Sequence, residues 1–200
     1  MSRPAKDPRD LSRPSIIAQA TTVFKDRGYR GTSLDDVALA FGVSRPALYH
    51  YFKAKRDILY AIYAEVSGRL QTGAREILQQ DLSPVQKFRL LVRHHAYTIL
   101  SSASQMAVYY DEEAELLPEQ RKEVRTARRR YTQALIDLYA AGVKSGDFLD
   151  VPPQLAVYVI IGACNWSYKW YDPQGPVSAR EMAGIIENML VNGYTRHAGT

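Results

Sequence analysis

GVSRPALYHYFKAKRD runs from Gly42 to Asp57. Gly42 and Val43 suit a tight turn. Ser44 suits the cap of a short helix whose first turn tolerates Pro46, because no intrahelical N–H is needed there. Leu48 and Phe52 stand four apart, the spacing of side chains that face a small core. Arg45, Pro46, Ala47, Tyr49 and His50 are then left outward. Tyr49, His50 and Tyr51 on an exposed helix, followed at once by Lys53, Lys55 and Arg56, have no packing reason to be there.

The segment before it supplies a frame. Ser12 and Pro14 mark a helix start, and Ile16, Ile17, Ala20, Val23 and Phe24 form one apolar stripe before a stop at Gly28. Thr32 or Ser33 caps a second helix, in which Leu34, Val37, Ala38 and Phe41 repeat at helical spacing. Asp35 and Asp36 fall in its first turn, where the helix dipole favours anions. Helix, glycine turn and helix, the second presenting polar and aromatic groups, is a helix-turn-helix. Such a second helix fits the ~12 Å major groove of B-DNA. Arg45 reaches a guanine edge or a phosphate there. Tyr49 and Tyr51 offer hydroxyls to phosphates and rings to thymine methyls. Lys53, Lys55 and Arg56 bring positive charge to the backbone.

Charge agrees with this reading. The net charge is +5 in a chain of 200 residues. Residues 1–60 hold 11 Lys/Arg against 6 Asp/Glu, so the whole excess sits at the end that carries the motif.

GYRGTSLDDVALAFGVSRPALYHYFKAKRDIL, Gly28 to Leu59, resembles the DNA-binding domain of the TetR/AcrR transcriptional repressors. The likeness spans about residues 12–60. It rests on G-x-x-x-[ST] entering the second helix, A-x-x-x-G-V-S entering the third, and L-Y-x-x-F-x-x-K closing it. The resemblance implies Ser33 as cap and phosphate contact, Arg45, Pro46, Ala47, Tyr49 and Tyr51 facing the groove, and Lys55 clamping the DNA backbone. With Ser44, His50 and Lys53 from the residues themselves, that is the expected DNA-facing set. Asp35 departs from the pattern, since some family members place a basic base-reader there.

Beyond Lys55 the pattern stays helical. Ser83-Pro84 starts one helix. Pro118 starts another that Gly142 and Gly146 close. Pro152-Pro153 opens a third running to about Tyr171, and Ser178 caps the last. The expected fold is all-α: a basic arm over 1–11, a three-helix bundle with the helix-turn-helix over 12–60, and a helical ligand-binding and dimerisation domain over 61–200. Met182, Ile185, Ile186, Met189 and Leu190 form a seam on the last helix, and the helix holding Val159 is apolar nearly all round. Both suit the interface of a homodimer on a palindromic operator, because a helix-turn-helix monomer reads few bases. The same helices could instead fill a monomer's core.

Several classes are disfavoured. The longest apolar run, Leu155 to Cys164, is too short to span a bilayer. MSRPAKDPRD is no secretory signal, and a single cysteine fits a reducing cytoplasm. No metal, cofactor or catalytic constellation is expected: adjacent His94 and His95 diverge by ~100° on a helix, and no H-E-x-x-H, G-x-S-x-G or phosphate loop occurs. Ligand chemistry is offered by Tyr97, Met106, Tyr109, Tyr110, Asn165, Trp166, Tyr168 and Trp170, which equally suit ordinary packing. Arg121, Arg125, Arg128 and Arg129 line one helix face. They are either a solvated surface or, with Lys169, cations for a phosphorylated ligand.

NWSYKWYDPQGPVS (Asn165–Ser178), YYDEEAELL (Tyr109–Leu117) and the Gly146-Asp147-Phe148 turn resemble the TetR-type repressors of fatty-acid and sterol-ring degradation. That resemblance implies a CoA-thioester effector. The alternatives are a repressor answering an aromatic, drug-like compound, a DNA-organising protein without a ligand, and, more remotely, an enzyme with the aromatic residues as its active site.

Overall fold

The structure, a computed structural model, describes residues 11–193. The basic arm expected over 1–11 lies, apart from Leu11, outside the described residues. Among the described residues the regular elements are nine α-helices: α1 Arg13–Arg27, α2 Leu34–Phe41, α3 Arg45–Tyr51, α4 Lys55–Leu78, α5 Pro84–Ser101, α6 Ala103–Asp111, α7 Pro118–Lys144, α8 Pro153–Trp166 and α9 Ala179–Asn192. Short 3-10 turns stand at Glu113–Glu115 and Ser167–Lys169.

Ser12, Ser33, Ser83 and Ser178 each cap a helix with a reciprocal capping box, which satisfies two otherwise orphaned N–H groups per start. Two ends differ from expectation. The α8 helix stops at Trp166, because the Ser167 hydroxyl donates to the Cys164 carbonyl at 2.7 Å and tightens the last turn. Gly142 lies inside α7 rather than closing it. A Cβ there would sit 2.2 Å from the ring of Phe148, which is buried. Gly142 is the gap that this ring fills, and Gly146, at φ 81°, makes the turn.

The chain forms two compact units that interleave in sequence. One comprises residues up to Glu65 together with Ser104–Lys122, and the other Val66–Ala103 with the chain from Glu123 onward. A single boundary at residue 60 is therefore too simple, since α6 joins the first unit. Its Tyr109 stacks on Tyr63 of α4 at 4.2 Å, and the Tyr63 hydroxyl donates to the Tyr109 carbonyl.

The first unit has its core in the α1 and α2 stripes with Leu48 and Phe52, all buried. The second is built on α5, which packs against both α8 and α9. Phe88, Tyr139 and Phe148 form an aromatic centre there, the last two stacked at 5.0 Å. Glu187 of α9 is buried and faces two α5 arginines, Arg89 at 2.8 Å and Arg93 at 3.7 Å.

Candidate nucleic-acid interface

Gly42 has φ 76° and ψ 28°, the left-handed conformation. Its N–H donates to the carbonyls of Ala38 and Leu39, and that of Val43 to Ala38. This closes α2 and turns the chain at once into α3, where Ser44 accepts from the Ala47 N–H at 3.4 Å. Leu48 is fully buried, so α3 is fixed by one side. Arg45, Pro46 and His50 are exposed, and Ala47, Tyr49 and Tyr51 are half-buried.

Arg45, Tyr49, Lys53 and Ser33 each have a defined partner. Arg45 Nε lies 3.0 Å from Asp35 Oδ1 of α2, and its guanidinium covers the Tyr49 ring at 5.2 Å with Nη2 3.4 Å from the Tyr49 hydroxyl. Lys53 donates to the Tyr49 carbonyl at 2.9 Å from an exposed position. Ser33 is exposed at the start of α2, its hydroxyl shared with Asp36. That bond, with the Ser33 N–H, holds the Asp36 carboxyl below the usual range.

Two expected DNA contacts are committed elsewhere. The Tyr51 hydroxyl donates to the Leu11 carbonyl at 2.9 Å, while its own carbonyl accepts from Arg13 at 3.0 Å. Tyr51 thus ties α3 to the start of α1. The Lys55 ammonium donates to the carbonyls of Tyr29 at 2.7 Å, Thr32 at 2.8 Å and Arg30 at 3.4 Å, and stands 4.3 Å over the Tyr29 ring. An ammonium has three N–H donors, and here all three are directed at the loop between α1 and α2.

The expected ligand residues divide between the two units. In the first, Met106 and Tyr109 are buried and Tyr110 is exposed. In the second, Tyr97 is partly exposed beneath Arg180, and Lys169 stands 5.1 Å over Tyr168. Trp166 and Trp170 are 64% and 55% exposed. Arg125, Arg128 and Arg129 are exposed along α7, whereas Arg121 donates to the carbonyls of Ala114 and Leu116 at the preceding turn. Two grooves open on the second unit. One of about 490 Å³ is bounded by Pro176, Glu181, Gly184 and Ile185, and another of about 380 Å³ by Leu82, Gln86, Arg89 and Arg93. The aromatic set lines neither of these two. Asn165 belongs instead to a buried polar cluster, described below.

The residues expected at a dimer interface are split by depth. Ile185, Met189 and Val159 are exposed, at 46%, 73% and 57%. Met182, Ile186 and Leu190 turn inward, half-buried against the core of their own unit.

Residues 16–62 match the family described as bacterial regulatory proteins, tetR family, and residues 81–194 match the tetracyclin repressor-like C-terminal domain. The chain belongs to the TetR family. It is 30% identical to the HTH-type transcriptional repressor KstR2 of Mycolicibacterium smegmatis, over 94% of this chain and 92% of that one. Among solved structures it is similar to a TetR/AcrR-family regulator from Thermobifida fusca, at 39% identity and a TM-score of 0.70, covering 92% and 98% of the two chains. It also shares the fold of AibR, solved with isovaleryl coenzyme A and operator DNA, at 24% identity and a TM-score of 0.75, covering 88% and 96%. As a TetR-type transcriptional repressor its role is regulatory and its macromolecular partner is DNA. No helix among the described residues is long and apolar enough to cross a membrane.

In this TetR repressor the least legible group was His95 with Tyr131. His95 is buried on α5, with Nδ1 3.2 Å from the Tyr131 hydroxyl of α7 and Nε2 2.8 Å from Asn165 Oδ1 of α8. The amide oxygen only accepts, so Nε2 carries the proton and Nδ1 accepts from tyrosine. The signal in the sequence was a histidine at a core position of the α5 stripe, but its two partners are 36 and 70 residues away.

Burial, more than any partner, holds His95 down to about 4 from 6.5. The unfolded chain therefore binds a proton between about pH 6.5 and pH 4 that the folded chain does not. The contribution of this histidine is complete above pH 6.5 and is lost as pH falls towards 4, by up to ~3 kcal/mol. Urea midpoints measured from pH 7 down to pH 4.5 are expected to fall. His95→Gln is expected to flatten that slope while lowering the value at pH 7.

Proposed function

We propose that the chain acts in the cytoplasm as a homodimer that holds a two-fold symmetric operator through α3 and lets go when an acyl-CoA thioester of lipid or sterol catabolism binds. The observation that carries the dimer is the face of α8. Leu155, Tyr158, Val159 and Trp166, at i, i+3, i+4 and i+11, are all more than half exposed, as are few large apolar side chains on a water-facing helix. Ile185 and Met189 continue the apolar exposure on α9. A second copy would cover both.

On DNA, Arg45 and Tyr49 read the groove with Pro46 and Ala47 against it. Ser33, Ser44, His50 and Lys53 border the phosphates. The acyl-CoA reading draws on the similarity to KstR2 and on the fold shared with AibR. Within this chain it draws on the exposed arginines of α7, since guanidinium binds phosphate bidentately. Release requires the ligand to prefer a conformer whose paired α3 helices no longer match the ~34 Å operator repeat. A hundredfold preference, about 2.7 kcal/mol per site, moves a balanced equilibrium decisively.

Selection of duplexes from a randomised pool tests this. The expected product is a palindromic motif with half-sites one helical turn or a multiple apart. Sequence-independent recovery would overturn it in favour of a DNA-organising role.

A further inference from the structure

Asp35 stands in the first turn of α2, on the face that presents α3 to DNA, where a carboxylate would repel phosphate. Its Oδ1 is shielded from solvent and, among the described residues, accepts no hydrogen bond. What compensates its charge is Arg45, with Nε 3.0 Å away. The Arg45 side chain is otherwise two-thirds exposed, and an exposed arginine of that length normally samples many rotamers. Here it is held from two sides, by Asp35 at Nε and by the Tyr49 hydroxyl and ring.

We propose that Asp35 is a specificity-determining residue, which positions Arg45 for a base edge and withholds it from the phosphates. The inference rests on α3 being the DNA-reading helix. With Nε turned to Asp35 and one N–H of Nη2 given to the Tyr49 hydroxyl, the end of the guanidinium still presents Nη1 and the second N–H of Nη2, the fork that matches guanine O6 and N7. If Arg45 swung to a phosphate, it would leave the shielded Asp35 oxygen uncompensated beside a polyanion. That arrangement is penalised on any sequence, whereas an end-on guanine contact retains the pair. Asp35 thus lowers non-specific affinity more than specific affinity, and discrimination is a difference between the two. The pair makes the geometry of Arg45, a residue of α3, depend on α2.

The test is duplex selection and salt-dependent titration with the full chain, comparing wild type, Asp35→Asn, Asp35→Glu, Arg45→Ala and the Asp35→Asn/Arg45→Ala double variant. Asparagine is isosteric, so folding is checked by melting and is expected to persist. Asp35→Asn is expected to tighten binding to a non-cognate duplex by about tenfold. It should also steepen the plot of log affinity against log salt by about one unit, as Arg45 takes a phosphate. The base preference at one position of each half-site is expected to relax by about fivefold to a hundredfold, the range of a lost bidentate contact. Asp35→Glu keeps the charge and is expected to stay near wild type in slope. In the Arg45→Ala background, Asp35→Asn should leave the base preference unchanged, because the path to the base is gone. If Asp35→Asn keeps the wild-type motif and slope, or if it alters the motif equally without Arg45, the assignment is overturned. A wild-type chain that selects no motif would instead remove the DNA-reading role of α3, and this inference with it.

Discussion

Met189→Glu is expected to turn the proposed dimer into folded monomers and to weaken operator binding by about a hundredfold to ten-thousandfold. Met189 is 73% exposed in the single chain, so a glutamate there costs the monomer little. In a two-fold interface over α8 and α9 it would be buried twice without a partner. An uncompensated buried charge costs about 3–5 kcal/mol. Losing the second subunit removes the intramolecular second half-site, whose effective concentration is worth about 10²–10⁴ in affinity. Val159→Glu on α8 is expected to do the same. Ile186→Glu is the poorer probe, because Ile186 packs on the core of its own unit and a charge would unfold the chain as well. Light scattering beside thermal melting separates the cases. Stable dimers from both Met189→Glu and Val159→Glu would place the interface elsewhere.

Lys55→Met is expected to lower the stability of the chain by about 2–3 kcal/mol, since charge-assisted hydrogen bonds to two close carbonyls are lost at once. Methionine keeps the apolar stem against Tyr29, so the loss reports the ammonium. Operator affinity is expected to fall as the α1–α2 loop loosens beneath Ser33, while the salt slope stays that of the wild type because no phosphate contact was removed. A guanidinium is planar and does not converge on three carbonyls as an ammonium does, so Lys55→Arg should restore only part of the stability. Undiminished melting with a slope flatter by about one unit would return Lys55 to the DNA backbone.

The recognition end of the molecule was legible because its determinants are local. Gly42, Ser44 and Pro46 act within a few residues of themselves, and the Leu48–Phe52 spacing alone decides which side of α3 is buried. What stayed hidden depends on partners remote in sequence. Lys55 is basic, adjacent to the motif and of the right type for phosphate, yet it is claimed by carbonyls 23 to 26 residues earlier. Tyr51 meets Leu11 from 40 residues away. On α9 an apolar seam of period 3.6 does not say how wide the buried stripe is. Met182, Ile186 and Leu190 face the core of their own unit, while Ile185 and Met189 face out, one position round the helix. The aromatic residues were the least informative, because tyrosine and tryptophan suit cores, surfaces and pockets alike. Tyr109 is buried and Trp166 is 64% exposed despite the same expected role.

The most direct measurement is titration of a fluorescent duplex carrying the selected motif, bound by the full chain, with acyl-CoA thioesters of graded acyl size. Free CoA and the free acids serve as controls. Release by at least one thioester, with operator affinity weakened tenfold or more and neither half of the molecule effective alone, is the predicted result. If no thioester loosens the complex while an uncharged aromatic compound does, the arginines of α7 are a solvated face and the acyl-CoA effector is contradicted.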